Sequence, residues 1–264
     1  MYYYIYDNYL NDRKYEKELD RVKTRLLDLE IQGKHEKLTL LKSLDELVKD
    51  EIKRGALTIV AVGNDKTFLK LVDVIAQSNV TLGIIPVGKE DNNLAKLFGI
   101  NNSESACDII AARKIAKFDL GLINKMTYFF SSIKIDKNVN RLSVYKDSYK
   151  IIPKYDSSNL KVINFFIDDG SIKNKSKLKN SSACDGSLEL AINTKLKKPG
   201  WFSGKSAREA IDTLIQSKNF KIKSFEYLPA MIDSFRVLKT PLEIEVVPGK
   251  LKVIVGKSKI NKNN

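Results

Sequence analysis

Two polar loops contain the residues of this sequence whose types could do chemistry. Each begins with glycine and follows an apolar run: residues 63–67 follow 57–62, and residues 88–93 follow 82–87. Glycine lets a backbone approach a phosphate closely, and the N-terminus of a helix after such a loop offers N–H groups to an anion. Ligands of open α/β sheets bind beyond the carboxyl ends of the strands. The two loops therefore predict a phosphate-binding site.

The elements that would position these loops alternate between strand and helix. The two apolar runs before the loops are typical of parallel strands that are buried on both faces. A short β-prone run covers residues 2–6. The helical patterns cover residues 12–31, 38–54, 68–76 and 94–98. This order predicts βαβ units and a parallel sheet, with the solitary His35 solvated between the first two helices.

The second half of the chain has a different character. Helical periodicity fades after Asn124, a turn is expected at Pro248-Gly249, and one helix is expected near 206–217. The β-like runs are 128–130, 142–145, 161–167, 187–192, 242–247 and 251–255. Because single cores stop growing at roughly 250–300 residues, we expect two lobes. They are an α/β lobe over residues 1–125 and a β-rich lobe over 126–264.

Basic residues are concentrated in the second half. The chain has 46 Lys+Arg and 32 Asp+Glu, and residues 126–264 contain 26 and 13 of them. Such a field favours an anionic partner, either membrane headgroups, nucleic acid or nucleotide phosphate, although a solvated lysine-rich surface explains it equally well. Trp201 and Phe202 lie among lysines and would form a membrane contact or pack between the lobes. No specific nucleic acid is expected, because recognition motifs are absent.

Composition also excludes several classes of function. The apolar runs are far shorter than the roughly 20 residues of a membrane span, and no signal-peptide pattern is present. Cys107 and Cys184 lie far apart without ligand-like neighbours, which excludes a disulfide framework or a cysteine-based zinc site and fits a reducing cytoplasm. A single histidine excludes any mechanism that needs two, and no metal ligands are assigned.

The order of these features resembles the diacylglycerol kinase catalytic-domain family of lipid kinases. That family shares a nucleotide-binding lobe with NAD kinases and 6-phosphofructokinases. Its pattern is a strand, Gly-Gly-Asp-Gly-Thr, a helix, and a second strand ending in Gly-Thr-Gly-Asn-Asp. Here the loops read Gly63-Asn-Asp-Lys-Thr67 and Gly88-Lys-Glu-Asp-Asn-Asn93. The segments 117–124, 185–189 and 242–255 resemble later parts of the family pattern, in the same order.

The resemblance implies an α/β, two-lobe NAD kinase/diacylglycerol kinase-like fold and transfer of the γ-phosphate of ATP, with Mg²⁺, to a lipid hydroxyl. It implies a cytoplasmic protein that associates peripherally with an anionic membrane, and leaves a homodimer open. Asp65 and Asp233 would be catalytic, the latter as the base. The implied nucleotide-binding residues are Gly63, Asn64, Asp65, Lys66, Thr67, Gly88, Lys89 and Asn92.

The sequence departs from the family pattern within these same motifs. Asn64 and Lys66 replace two glycines, the second loop has gained Asp91, and Asp233 lacks the family's Gly-Glu. A weakened or inactive protein that binds lipid or nucleotide as a regulator is therefore the alternative hypothesis. Local structure offers further alternatives: Asp65, Thr67, Asn92 and Asn93 as helix caps, Asp185-Gly186 as a turn, and Asp233 as a surface residue.

Overall fold

A computed structural model describes residues 1–38, 43–88, 92–154, 157–167, 172–173, 183–195 and 209–257. The chain forms two compact units. The first is Met1–Phe118 together with the chain from Gly249 onward, and the second is Asp119–Pro248. Both boundaries fall within strands. The first unit is α/β with a parallel sheet and the second is antiparallel and β-rich, so the predicted fold class is confirmed.

The first unit is built on parallel strands in the order β2-β1-β3-β4, with the end of a later strand, β17 (Leu242–Ile254), beside β4. Every residue of β3 and β4 is buried, because helices cover the sheet. Its elements are β1 (Tyr2–Tyr6), α1 (Glu16–Asp28), β2 (Gly33–Lys37), α2 (Leu44–Lys53), β3 (Thr58–Gly63), α3 (Asp65–Ala76), β4 (Thr81–Pro86), α4 (Asn93–Leu97), α5 (Ser103–Ala112) and the start of β5 (Ile115–Ile123).

Several predicted boundaries in this unit are wrong. The helix expected over 12–31 begins at Glu16, after a 3₁₀ turn, and the helix expected over 38–54 begins at Leu44. Strand β2 was missed because its sequence is polar. It forms because it pairs with β1 along its whole length. His35 belongs to this strand and is exposed, as expected, and its Nδ1 lies 2.7 Å from the hydroxyl oxygen of Tyr6.

The second unit has two sheets around an apolar core, antiparallel except where β11 pairs with β13. One sheet has the order β11-β13-β12-β10-β7-β15-β16. In the other, the first half of β17 pairs with β14, β14 pairs with β8, and β8 pairs with β9. Its elements after β5 are β6 (Thr127–Phe129), β7 (Ser132–Ile135), β8 (Leu142–Lys146), β9 (Tyr149–Ile151), β10 (Ser157–Ile163), β11 (Ile172–Lys173), β12 (Leu188–Lys195), β13 (Glu209–Ser217), β14 (Asn219–Ser224), β15 (Pro229–Ile232), β16 (Arg236–Lys239) and β17 (Leu242–Ile254).

Two predictions for this half are overturned. Of the helix expected near 206–217, residues 209–217 form β13, because they pair with β12 along its length, and 206–208 lie outside the described residues. The expected turn at Pro248-Gly249 is absent, because β17 continues through it to Ile254. The first half of β17 pairs with β14, and Lys252 and Val253 pair with β4. This continuity assigns the chain from Gly249 to the first unit, where the sequence had placed all of 126–264 in the second.

Candidate phosphate-binding site

The carboxyl ends of β1, β3 and β4 meet at one edge of the parallel sheet. The N–H of Asp7 donates to the carbonyl of Val62 (3.0 Å), and the N–H of Val87 donates to the carbonyl of Gly63 (2.9 Å). The structure therefore brings together the two loops that the sequence singled out. It adds Asp7 from the end of β1, a residue that was not assigned from the sequence. Its position directly after a β-prone run could have indicated it.

A capping box shapes the first loop at the start of α3. The side-chain oxygen of Asn64 accepts the N–H of Thr67, and the hydroxyl oxygen of Thr67 accepts the N–H of Asn64, both at 3.2 Å. That hydroxyl also donates to Asp7 Oδ2 (2.8 Å), which lies 3.4 Å from Lys70 Nζ. A Cβ on Gly63 would lie 2.3 Å from Thr67 Oγ1, so only glycine fits there. The N-cap of α3 is therefore Asn64, and Thr67 takes part in the box as the third helical residue rather than as the cap.

Asp65 links the two loops. Its Oδ2 accepts the N–H groups of Asn93 (2.7 Å) and Leu94 (3.0 Å), so it caps α4 rather than its own helix. The side-chain amide of Asn92 donates to the carbonyl of Gly88 (2.8 Å). Asp65 and Asn92 are each only 8% exposed. The buried carboxylate therefore fixes the geometry of the second loop relative to the first.

Two residues of α1 and its preceding turn close the site around Gly88. Its N–H donates to Glu18 Oε2 (3.2 Å), while Glu18 Oε1 accepts the hydroxyl of Ser103 (2.9 Å). The φ of Gly88 is +87°, and a Cβ there would lie 3.2 Å from the Tyr15 ring. Nothing in the sequence pattern pointed to Glu18. Its carboxylate accepts the hydrogen bond of an N–H group that would otherwise be available to a phosphate.

Acidic groups dominate the electrostatics of this edge. Asp7, Glu18 and Asp65 all accept hydrogen bonds here. Lys66 is exposed, and Lys89 lies outside the described residues, as do Trp201 and Phe202. Over the described parts of the chain, no group of three His, Cys, Asp or Glu side chains could hold a metal ion. The carboxylates described at this edge would repel a phosphate.

Asp233, the predicted base, lies in the second unit at the turn between β15 and β16. It is 4% exposed, so the surface interpretation is wrong. Its Oδ2 accepts the N–H of Phe130 (2.9 Å), and its Oδ1 accepts those of Ser131 (2.7 Å) and Ser132 (3.1 Å). Burial raises the pKa of Asp233 to about 6, against the opposing effect of these three donors. Both oxygens are thus engaged by the backbone.

The second-lobe motif at Asp185-Gly186 forms local hydrogen bonds. Asp185 Oδ1 accepts the N–H (3.0 Å) and the hydroxyl (2.8 Å) of Ser187, as in an Asx turn. Gly186 has a φ of +67°, and its N–H donates to Asp119 Oδ2 (2.7 Å). This geometry agrees with the turn interpretation.

Comparison with known proteins agrees with the fold. Residues 2–123 match the diacylglycerol kinase catalytic domain. The chain aligns with a diacylglycerol kinase structure from Bacillus anthracis str. Sterne at 17% identity and a TM-score of 0.71, covering 97% of both chains. Two further structures from that strain, with a provisional diacylglycerol kinase name, align at 16% identity and TM-scores of 0.73 and 0.74, again over 97% of both chains.

No curated protein matches the sequence. The resemblance predicted from the motifs is confirmed by the match over residues 2–123. At 16–17% identity, the structural likeness establishes the fold alone. Within the described parts of the chain, no helix is long and apolar enough to cross a bilayer.

Proposed function

We propose that this protein is an ATP-dependent phosphotransferase of the diacylglycerol kinase type, which transfers the γ-phosphate to a lipid hydroxyl at a membrane surface. The observation that carries this proposal is the buried Asp65 carboxylate, which joins the Gly63 and Gly88 loops at the carboxyl edge of the parallel sheet. The match to the catalytic domain over residues 2–123 supports the same function.

Phosphoryl transfer requires mainly positioning and charge neutralisation. In the proposed complex, the backbone at Gly63 and Gly88 and the first turn of α3 bind the phosphates of ATP. The N-terminus of α3 contributes its N–H groups and the positive end of the helix dipole. Asp65 keeps the two loops in register through the N–H groups of Asn93 and Leu94. The Thr67 hydroxyl is already engaged by Asp7 and therefore supports the loop rather than the ligand.

The donor set at this edge suits Mg²⁺, because carboxylate oxygens are the protein ligands that Mg²⁺ prefers. Bound with ATP, Mg²⁺ would neutralise phosphate charge that Asp7 and Asp65 otherwise repel. Mg²⁺ in phosphotransferase sites is usually bound by one or two carboxylates together with substrate phosphates and water. Asp65 and Asp7 are the residues that would hold it.

The hydrogen bonds of Asp233 differ from those expected of a catalytic base, which needs an oxygen free to accept a proton. At neutral pH a carboxyl with a pKa of about 6 is mostly ionised, but its two oxygens accept three backbone N–H groups. We therefore propose that Asp233 organises the backbone of residues 130–132, and that the base for the lipid hydroxyl is another group or the substrate phosphate itself.

One observation favours a second candidate, a non-catalytic regulator that binds lipid or nucleotide. The Gly88 N–H is donated to Glu18, so a phosphate at this position would have to displace a carboxylate. If the displacement does not occur, the loop holds its shape without a nucleotide. The two candidates differ in one property, the transfer of phosphate.

The test is calorimetric ATP binding with Mg²⁺, followed by radiolabelled phosphate transfer to diacylglycerol in mixed vesicles. ATP at 100 times its Kd should stabilise the fold by about 2.7 kcal/mol. We expect Asp65→Asn to abolish transfer while the protein stays folded, because the amide oxygen can still accept the α4 N–H groups. The exposed Asp50→Asn is the matched control. Binding without transfer would select the regulator, and no binding at millimolar ATP would refute both nucleotide-dependent functions.

A further inference from the structure

Three large apolar side chains are exposed at one end of the second unit. Phe225 is 100% exposed and Tyr227 is 76% exposed, both in the loop between β14 and β15. Met126 is 77% exposed, in the turn between β5 and β6. Single exposed apolar residues are ordinary, whereas several on one surface mark an interaction site. We name these three side chains the apolar tip.

Hydrogen bonds hold the two loops of the apolar tip to the same segment of the chain. The N–H of Asn124 donates to the carbonyl of Glu243, and the N–H of Glu243 donates to Asn124 Oδ1, both at 2.8 Å. The N–H of Thr240 donates to the carbonyl of Leu228 (3.0 Å), and the N–H of Leu228 donates to Thr240 Oγ1 (2.9 Å). Both loops are therefore bound to the segment 240–243, although they lie about a hundred residues apart in the sequence.

The loop that carries Phe225 and Tyr227 is internally ordered. The hydroxyl of Ser224 donates to the carbonyl of Glu226 (2.5 Å), and Arg141 Nη1 donates to Glu226 Oε1 (2.8 Å). Because the backbone is already fixed, insertion of the side chains into a partner requires little further ordering of the chain.

Cations surround the apolar tip in excess over acids. Glu226 pairs with Arg141, and Glu243 pairs with Lys221. Exposed lysines remain beyond these pairs: Lys125 beside Met126, Lys223 two residues before Phe225, and Lys239 beside Thr240. The Lys221 ammonium and, less strongly, those of Lys125 and Lys223 lower the pKa of Glu243, which shows that these charges lie close together.

We propose that the apolar tip inserts into the interface of an anionic lipid bilayer, with Lys125, Lys223 and Lys239 against its headgroups. Apolar and aromatic side chains are stable at the headgroup boundary, and lysines nearby are attracted by anionic lipid. A second copy of the chain would bring the same lysine excess against itself, so the charge favours a bilayer over self-association. This proposal depends on the proposed function only in one respect: membrane docking would give the enzyme access to a lipid substrate.

The test is co-sedimentation with vesicles of phosphatidylglycerol mixed with phosphatidylcholine, compared with phosphatidylcholine alone. We expect Phe225→Ser to weaken binding by about tenfold or more, as for an apolar side chain that is no longer buried. Replacing Lys125, Lys223 or Lys239 singly with Gln should weaken binding to the anionic vesicles roughly fivefold. The control is Leu57→Ser, because Leu57 is 62% exposed in the first unit and lies outside the apolar tip. It should bind as the unaltered protein does.

Three results would overturn the docking proposal. They are unchanged binding by Phe225→Ser, equal loss in the Leu57→Ser control, or a change of oligomeric state by light scattering without a change in vesicle binding. Thermal unfolding of each variant confirms that it is folded, and exposed positions should not shift it.

A transfer assay on a short-chain diacylglycerol dissolved as monomers separates this proposal from the proposed function. Transfer that the tip variants retain, together with lost vesicle binding, supports both. If vesicle binding depends on the apolar tip but no phosphate is transferred, the docking proposal stands and the kinase proposal is refuted. Transfer with tip-independent binding refutes the docking alone.

Discussion

The ionisation of Asp233 should couple the stability of the protein to pH in an unusual direction. Burial raises the pKa of this carboxyl from 3.8 to about 6 in the folded state, although three backbone N–H groups stabilise its charged form. The folded state therefore binds the proton more tightly than the unfolded chain does. Stability from this group is fully present below the unfolded pKa and is lost as pH rises through about 6.

The size of the effect follows from the two pKa values. A shift from 3.8 to about 6 corresponds to about 3 kcal/mol of unfolding free energy, since each pKa unit is worth about 1.4 kcal/mol. Asp233→Asn removes the titrating group and keeps an oxygen acceptor. As the pH rises from about 4 to about 7, the unaltered protein should therefore lose about 3 kcal/mol of unfolding free energy relative to Asp233→Asn.

Urea denaturation of both proteins across this pH range is the assay, because the difference cancels the titration of every other carboxyl group. A flat difference would mean that Asp233 has an ordinary pKa. A difference of the opposite sign would mean that the three N–H donors outweigh burial, and would refute the reasoning. If Asp233→Asn also retains phosphate transfer, the carboxylate is not the catalytic base.

Other substitutions test the same architecture. Asp233→Ala leaves the N–H groups of Phe130, Ser131 and Ser132 without their acceptor, two of them buried, so it should be less stable than Asp233→Asn by about 2 kcal/mol or more in denaturant titrations. Gly63→Ala should lower the unfolding free energy by about 1–3 kcal/mol, because the new methyl group displaces the Thr67 hydroxyl from its cap, and unchanged stability would contradict that packing. Glu18→Gln removes a negative charge beside the Gly88 N–H and should raise ATP affinity about fivefold by calorimetry. Equal affinity would place the phosphates elsewhere.

The sequence was most informative where local pattern and burial coincide. The runs 57–62 and 82–87 predicted the buried strands β3 and β4, because continuous β-branched stretches are stable only where both faces are covered. Capping boxes begin α3, at Asn64 and Thr67, and α5, at Asn102 and Ser105, and neither box was predicted from the sequence.

The misassigned elements share a physical cause. Residues 209–217 and the polar strand β2 become strands because of partners that periodicity does not reveal, namely β12 and β1. Pairing supplies the backbone hydrogen bonds and overrides weak local preference. The same holds for β17, whose Pro248-Gly249 step looks like a turn but continues as strand between two sets of partners.

The sequence by itself determined the fold class, the two loops and their order along the chain, because these depend on local composition and strand periodicity. Only the tertiary structure decided what each polar group does. Asp233 meets N–H groups about a hundred residues earlier in the chain, and Glu18 reaches Gly88 from another element. A carboxylate has the same chemistry in any sequence, and its role is set by the donors, burial and charges that folding brings to it.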